Sequence, residues 1–246
     1  MLLKLLPQML VDGLQLGFVY AIVALGYTMV YGVLHFINFA NAEIFMCGAF
    51  IGAEVLIALL GAAAGGGWTV FAFAVALLAA LALTGLLGVF IERVAYRPLR
   101  SAPRLVPLIS AFGVSYFLQD FVRVAETFAH NSFYLTLPSI FKREFVLNEY
   151  TKVTVRAILI VGVCLAALAI LYTFIHRTKV GSAIRCVSQN QTMSALLGIH
   201  VNKTITTTFF VGAAMGGVAG TMFAIQYGMI NPYIGITIGR SEEHTS

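Results

Sequence analysis

A chain of 246 residues that is 60% hydrophobic and 10% charged, with a mean hydropathy of +0.92, does not fold as a water-soluble globule. Its net charge of +5 comes from 15 lysines and arginines against 10 acids, gathered in short stretches between long apolar runs. The class this defines is an all-α, polytopic membrane protein, a transmembrane helical bundle whose solvent is the lipid bilayer, and no nucleic-acid partner is expected.

The chain opens without a cleavable signal: Met1 to Gln15 has a single lysine, a proline at Pro7 and no small-residue cleavage site, so insertion through the first span is expected. Charge-free stretches then run from Gly13 to Ala42, Val55 to Ile91, Ala157 to Ile175 and Thr204 to Gly239. Each is long enough to cross ~30 Å of hydrocarbon at least once. A fifth, Leu105 to Gln119, reaches Val122 if Asp120 lies at an interface. The first stretch together with Glu43 to Leu60 holds two passes, which gives about six spans.

Orientation follows from the basic residues, which mark cytoplasmic loops. Arg93, Arg97, Arg100 and Arg104 cluster in one short segment, and His176, Arg177, Lys179, Arg185 and Lys203 in another. Between them, Arg123 to Arg156 mixes both signs and suits a folded extracytoplasmic loop. Both clusters then face the cytoplasm, and counting backwards places the N-terminus outside. The three cysteines, Cys47, Cys164 and Cys186, imply no disulfide framework and read as small apolar filler.

Small residues at four-residue spacing let helix backbones approach closely. Gly212, Gly216 and Gly220 form one such row and Gly13 with Gly17 a second, which argues for a compact bundle.

Two short sequences place polar residues where they are costly. In INFANAE, Ile37 to Glu43, Asn38, Asn41 and Glu43 fall between two apolar runs with too little room for a conventional loop. In INPYIG, Ile230 to Gly235, Pro232 removes a helix donor next to Asn231. Non-helical backbone at membrane depth is tolerated where it is buried in protein or lines a cavity. Each segment follows a Tyr-Gly pair, Tyr31-Gly32 and Tyr227-Gly228, which hints at an internal repeat around a central pathway. Two plainer readings stay open: Glu43 solvated at the cytoplasmic face, and Asn231-Pro232 as a turn at the outer surface.

The basic segment His176 to Lys203 is longer than a turn needs. Within it, Ser188 to Ile199 reads as a short helix capped by Asn190, with Met193, Leu196 and Leu197 on one apolar side and Gly198 at its end. Such a helix lies either in a partner's groove or flat on anionic lipid, held by Arg185 and Lys203; periodicity does not choose between them.

Taken in order, GYTMVYG (Gly26 to Gly32), INFANAE, IERVAYRPLR (Ile91 to Arg100), SALLGIHVNK, FFVGAAMGGVAG and GMINPYIG resemble the LivH-type permease subunit of bacterial branched-chain amino-acid ABC transporters. The likeness runs from Val11 to Gly239. It implies a multi-pass inner-membrane subunit that pairs with a second, related permease, two ATP-binding subunits and a periplasmic substrate-binding protein to move an amino-acid substrate. Asn38, Phe39, Asn41, Glu43, Asn231 and Pro232 would border the translocation pathway. Gly181, Arg185, Gln189, Asn190, Ala195, Gly198 and Ile199 would match the loop that contacts an ATPase subunit. Many relatives carry acids where this chain has Gln189 and Asn190, and His-Gly where it has Asn41-Ala42. These departures weaken a charge-based contact at the ATPase surface and any single role for Asn41.

The chain has no Walker-type phosphate loop, no His/Cys metal spacing and no nucleophile with a base at a recognisable interval. No catalytic residue, metal or cofactor site is therefore expected, the chain is not read as an enzyme, and ATP would be bound by partner subunits. The contrasting reading is a secondary transporter driven by an ion gradient, which needs an acid deep in the bundle. Its candidates, Glu43, Glu54 and Asp120, all fall near the ends of the expected spans.

After Gly239 the apolar pattern gives way to RSEEHTS, Arg240 to Ser246, which resembles translated sequencing-adapter DNA more than any permease. The expectation is a permease domain over residues 1–239, incomplete, followed by a non-native tail at 240–246. About two further helices would then be missing, and the polypeptide as written would not be expected to transport.

Overall fold

The computed structural model describes residues 2–34, 38–62, 66–100, 102–103, 105–132, 134–138, 140, 144–148 and 151–235. The tail at 240–246 and the charged residues Arg104, Lys142, Arg143 and Glu149 read above lie outside them. Eight α-helices dominate these residues: α1 (Leu2–Leu34), α2 (Ala40–Ala62), α3 (Gly66–Ile91), α4 (Leu105–His130), α5 (Val155–Arg177), α6 (Lys179–Gln189), α7 (Gln191–Leu196) and α8 (Val201–Tyr227). Six of them, all but α6 and α7, are long and apolar enough to cross a membrane. The chain is a multi-pass membrane protein.

The bundle is organised around α8. In its most apolar stretch 83% of the residues are buried, against 22–56% in the other five spans. It packs against α1, α2, α3 and α5, and close approach is what its glycines provide. A Cβ on Gly212 would lie 2.9 Å from the Gly26 carbonyl oxygen, and one on Gly220 would lie 2.6 Å from the Ala49 nitrogen. Gly216 is different, because a Cβ there would meet Ile44 at an ordinary 3.7 Å. An equally close approach involves a residue outside the four-residue row: a Cβ on Gly217 would collide with Thr84 and come 2.8 Å from the Ala80 oxygen of α3. Gly13 and Gly17, by contrast, face open space with nothing within 4 Å. Their spacing does not mark a contact in this chain, since a small-residue row needs a facing helix to matter.

Threonines in the apolar interior satisfy their hydroxyls on their own helix. Thr84, Thr208 and Thr221 donate to the carbonyls of Ala80, Thr204 and Gly217 four residues back. This keeps these three hydroxyls paired without water.

The two basic clusters meet at one end of the bundle, where Arg100 Nη1 donates to Asn202 Oδ1 at 2.7 Å. The C-terminal end of α1 lies there too, since Gln191 Nε2 donates to the Val33 carbonyl at 2.8 Å. The first residues of α1 are therefore at the far end, the parity expected from the charges.

At that far end the mixed-charge segment is shorter as a loop than its composition suggests. Asp120 and Arg123 sit inside α4, where they form an ion pair at 2.9 Å between side chains 61% and 42% exposed. Mutual neutralisation, one helical turn apart, lets the helix run on to His130. The remainder holds an antiparallel hairpin, β2 (Glu144–Asn148) with β3 (Thr151–Thr154). Before it, β1 (Leu135–Thr136) pairs antiparallel with β4 (Met229–Ile230), in register Leu135 with Ile230. Leu137 N–H also donates to the Gly228 carbonyl at 2.9 Å. Gly228, at φ 69°, ends α8 in the left-handed conformation that glycine adopts freely.

Candidate functional site: a buried polar seam and the basic-end loop

INFANAE leads into a helix, its Ala40–Glu43 opening α2. Between α1 and α2 the described residues outside the helices are Asn38 and Phe39, and Asn38 is only 2% exposed. Its Oδ1 accepts the Ala40 N–H at 3.2 Å and the Tyr96 hydroxyl at 2.6 Å, so one asparagine starts α2 and ties it to α3's continuation. That continuation is a π-helical turn, Glu92–Tyr96, followed by a 3₁₀ turn, Arg97–Leu99. The wide π turn belongs to the segment that turns both Glu92 and Tyr96 inward, each 0% exposed.

Asn41 and Glu43 are also inside, at 3% and 2% exposure. Glu43 is not solvated at the basic end, and it does not lie near the end of the bundle even though it opens α2. Its neighbours Ile44 and Phe45 face Gly216, in the middle of α8. The reason is that α2 begins inside the bundle, just past the Asn38 break. Ser115 Oγ of α4 donates to Glu43 Oε1 at 3.2 Å, while Glu43 Oε2 is buried with no hydrogen-bond partner among the described residues. Phe39 stacks on Phe112 of the same helix, ring centres 4.2 Å apart.

INPYIG returns into the bundle to meet this segment. After β4 the chain turns at Pro232 and Tyr233, and Gly235 sits so close to Glu43 that a Cβ would be 2.6 Å from Oε2 and 2.9 Å from the Ala42 oxygen. One helical turn along α4 from Ser115, the Gln119 amide donates to the Pro232 carbonyl at 3.4 Å. The polar pair Ser115/Gln119 therefore holds one re-entering segment with each side chain, and Glu43 and Pro232 belong to one seam. Asn231 stands at its outer edge. Its Oδ1 accepts the Tyr233 N–H at 2.9 Å, and it lines a small recess with Arg123, Tyr134, Pro232 and Tyr233. Pro232 itself is buried, so the segment is more than a surface turn. The two Tyr-Gly pairs play unlike parts: Gly32 lies within α1, whereas Gly228 ends α8.

Sequence reading overlooked Ser115, Gln119 and Tyr96. The first two carried a signal, since polar residues at i and i+4 in an apolar run share one helix face. Tyr96 carried none, because an aromatic in an Arg-rich stretch reads as interfacial. Glu92 was also missed: it is fully buried, paired with Arg100 and accepting the Thr206 hydroxyl at 2.9 Å.

At the basic end the expected helix from Ser188 to Ile199 is two helices. α6 covers Lys179–Gln189, and Asn190, in extended conformation, interrupts it. The interruption is self-consistent, since Asn190 Oδ1 accepts the Met193 N–H at 3.0 Å and caps α7. Gly198 follows at φ 81°, ending the turn. Gly181 is buried where α6 doubles back on α5, with no room for a Cβ beside the Phe174 and Ile175 carbonyls. Arg185, although exposed, folds back on the same corner: it donates to the Ile175 carbonyl at 2.9 Å and to Ser182 Oγ at 3.2 Å, satisfying the last turn of α5. Gln189 and Ala195 are exposed, and Ile199 packs partly against the core. On α7 and the turn after it, Met193, Leu196 and Leu197 are 56%, 78% and 77% exposed, an uncovered apolar cluster on a segment rooted to α1 through Gln191.

A bundle of six spans with two segments re-entering around a buried carboxylate, and a structured loop at its basic end, is the architecture of a membrane permease. The chain belongs to the family described as the branched-chain amino acid transport system permease component, whose model matches residues 9–241. It is 39% identical over 237 residues to the high-affinity branched-chain amino acid transport system permease protein LivH of Escherichia coli K12, covering 94% of this chain and 75% of the relative. It is 40% identical over 238 residues to BraD of Pseudomonas aeruginosa, which bears the same description, with the same two coverages. LivH of Salmonella typhimurium is 38% identical over 237 residues. No solved structure matches.

Proposed function

We propose that this chain is the membrane-spanning subunit of an ATP-driven importer for branched-chain or related amino acids, seated in the bacterial inner membrane as a transport subunit rather than an enzyme. ATP would be held by two separate ATP-binding subunits. A second, related permease would complete the membrane part, and a periplasmic substrate-binding protein would deliver the amino acid. Residues 1–239 are the permease domain in this reading, and no cofactor is assigned to the chain itself.

The observation that carries the reading is the uncovered cluster Met193, Leu196 and Leu197. Leucines exposed by more than three quarters on a capped, rooted helix form a surface that a partner groove would cover. Gln189, Asn190, Ala195, Gly198 and Ile199 shape that surface, while Gly181 and Arg185 hold its base against α5. The pathway is assigned to the seam of Asn38, Phe39, Asn41, Glu43, Asn231 and Pro232, with Ser115 and Gln119 added from α4. Of the row Gly212, Gly216 and Gly220, the first and last serve close packing.

The test is coexpression of the chain with the second permease and ATP-binding subunits of a branched-chain amino-acid system, followed by copurification and leucine uptake into proteoliposomes. Copurification of the ATP-binding subunits is expected, and any uptake should require internal ATP. Absence of any association would overturn the assignment. Glu43, a buried acid level with the middle of α8, favours a second reading, transport driven by an ion gradient. Uptake abolished by a protonophore yet indifferent to ATP would select it.

A further inference from the structure

Glu54 of α2 and Glu126 and His130 of α4 converge at the end of the bundle away from the basic loops. His130 Nδ1 lies 3.3 Å from Glu126 Oε2 and 3.4 Å from Glu54 Oε1, and one ligand atom from each residue falls within 4.8 Å of the others. We infer that these three side chains form a divalent transition-metal site of the zinc type that clamps α2 to α4.

Three observations support it. First, the geometry is that of a coordination shell. Ligands at ~2.0–2.2 Å from a tetrahedral zinc stand about 3.4 Å apart, and two of the three edges already have that length. The third closes by rotation of Glu54, whose side chain is 38% exposed. Second, hydrogen bonding within the triad is incomplete. Glu54 Oε1 is buried and among the described residues no donor satisfies it, although Nδ1 is near, because a single ring nitrogen cannot serve two carboxylates at once. A cation between the three atoms satisfies all of them. Third, the charge is unbalanced. Among the described residues no lysine or arginine forms an ion pair with Glu54 or Glu126, so two carboxylates face one imidazole.

The donor set also selects the ion. One imidazole nitrogen with two carboxylate oxygens suits zinc and its first-row neighbours better than calcium or magnesium, which prefer an all-oxygen shell. Glu126, with a side chain 10% exposed, is fixed by burial, while His130, at 38%, opens to solvent and leaves room for a water as fourth ligand. Glu126 and His130 are one turn apart on α4, so a helix supplies two ligands in fixed register and α2 supplies the third. Sequence spacing could not reveal this, because the third ligand lies far upstream of the other two.

The test uses the full chain in detergent, stripped with chelator and titrated with Zn²⁺ alone against a competing chromophoric chelator. One Zn²⁺ per chain is expected, with affinity at least about tenfold weaker in His130→Ala. Added Zn²⁺ should raise the thermal midpoint of the unsubstituted chain and leave that of His130→Ala unmoved. Because His130 is partly exposed, this variant should fold, and Glu54→Gln offers an independent check that retains side-chain volume. Equal Zn²⁺ affinity in the unsubstituted chain and both variants would overturn the proposal and place any bound ion at another histidine or cysteine. Calcium binding as tight as zinc binding would also overturn it.

Discussion

Gln191 reaches from the first turn of α7 to the Val33 carbonyl at 2.8 Å, so the loop at the basic end holds the last turn of α1, a few residues before the Asn38 break. That hydrogen bond ties α7 to the end of α1 nearest the polar seam. Gln191→Ala should leave the fold intact and loosen α7. With ~1 kcal/mol lost, amide exchange in α7 should accelerate roughly fivefold by hydrogen–deuterium exchange mass spectrometry, while α8 is unchanged. Unaltered exchange in α7 would show that the bond does not tether it.

The four-residue row on α8 should not behave as a row. Gly220→Ala drives a methyl into the α2 backbone and is expected to destabilise by about 1–3 kcal/mol. Gly216→Ala meets only ordinary contact, and the gain in helix propensity offsets any cost, so its effect should stay within about 1 kcal/mol of zero or be stabilising. Thermal midpoints followed by detergent size-exclusion chromatography separate the two. Equal losses would contradict the packing described.

Glu92 is buried and its charge is answered by Arg100 and Thr206. Arg100→Met strands the carboxylate and should cost about 3–5 kcal/mol. Adding Glu92→Gln removes the stranded charge and should recover part of that loss. A double-mutant cycle on thermal stability reads the coupling directly; strict additivity of the two substitutions would mean that the pair is incidental.

On the seam, Asn231 is the position where bulk can be added without disturbing the interior, since it faces the outer recess. Asn231→Trp should express normally and lower substrate-stimulated uptake in the complete complex by about tenfold, equivalent to ~1.4 kcal/mol. Uptake at the unsubstituted rate would remove Asn231 from the pathway.

Gly198 holds a left-handed conformation with open space around it, so a side chain there strains the backbone without clashing. Gly198→Val should lower transport while the ATP-binding subunits, assayed alone, keep their hydrolysis rate. Full coupling in this variant would reject the docking role of the loop.

Much of this architecture could be read from residues alone. The six spans follow from charge-free length, and the polar interruptions INFANAE and INPYIG stood out because asparagine, glutamate and proline are costly in lipid. Their meeting could not be read, because it depends on α4 presenting Ser115 and Gln119 to both at once. Depth was illegible for the same reason. Glu43 is first-turn in α2, and only the break at Asn38 explains why that turn lies level with Gly216. The length of α4 was underestimated because Asp120 reads as interfacial and Arg123 as the start of a loop when each is counted as an isolated charge. Gly217 escaped notice because its partners, Thr84 and Ala80, belong to a helix more than a hundred residues away.

The helix against which α1, α2, α3 and α5 pack is the last of these six to leave the ribosome. Until α8 arrives, α1, α2 and α3 each satisfy the bilayer individually through apolar length, but their glycine and threonine faces have nothing to close against. Assembly of these six spans therefore separates in time into insertion of self-sufficient segments and a consolidation that waits for α8. Substitutions on α8 should act on that consolidation, yielding protein that is inserted in the membrane and yet readily cleared by quality-control proteases.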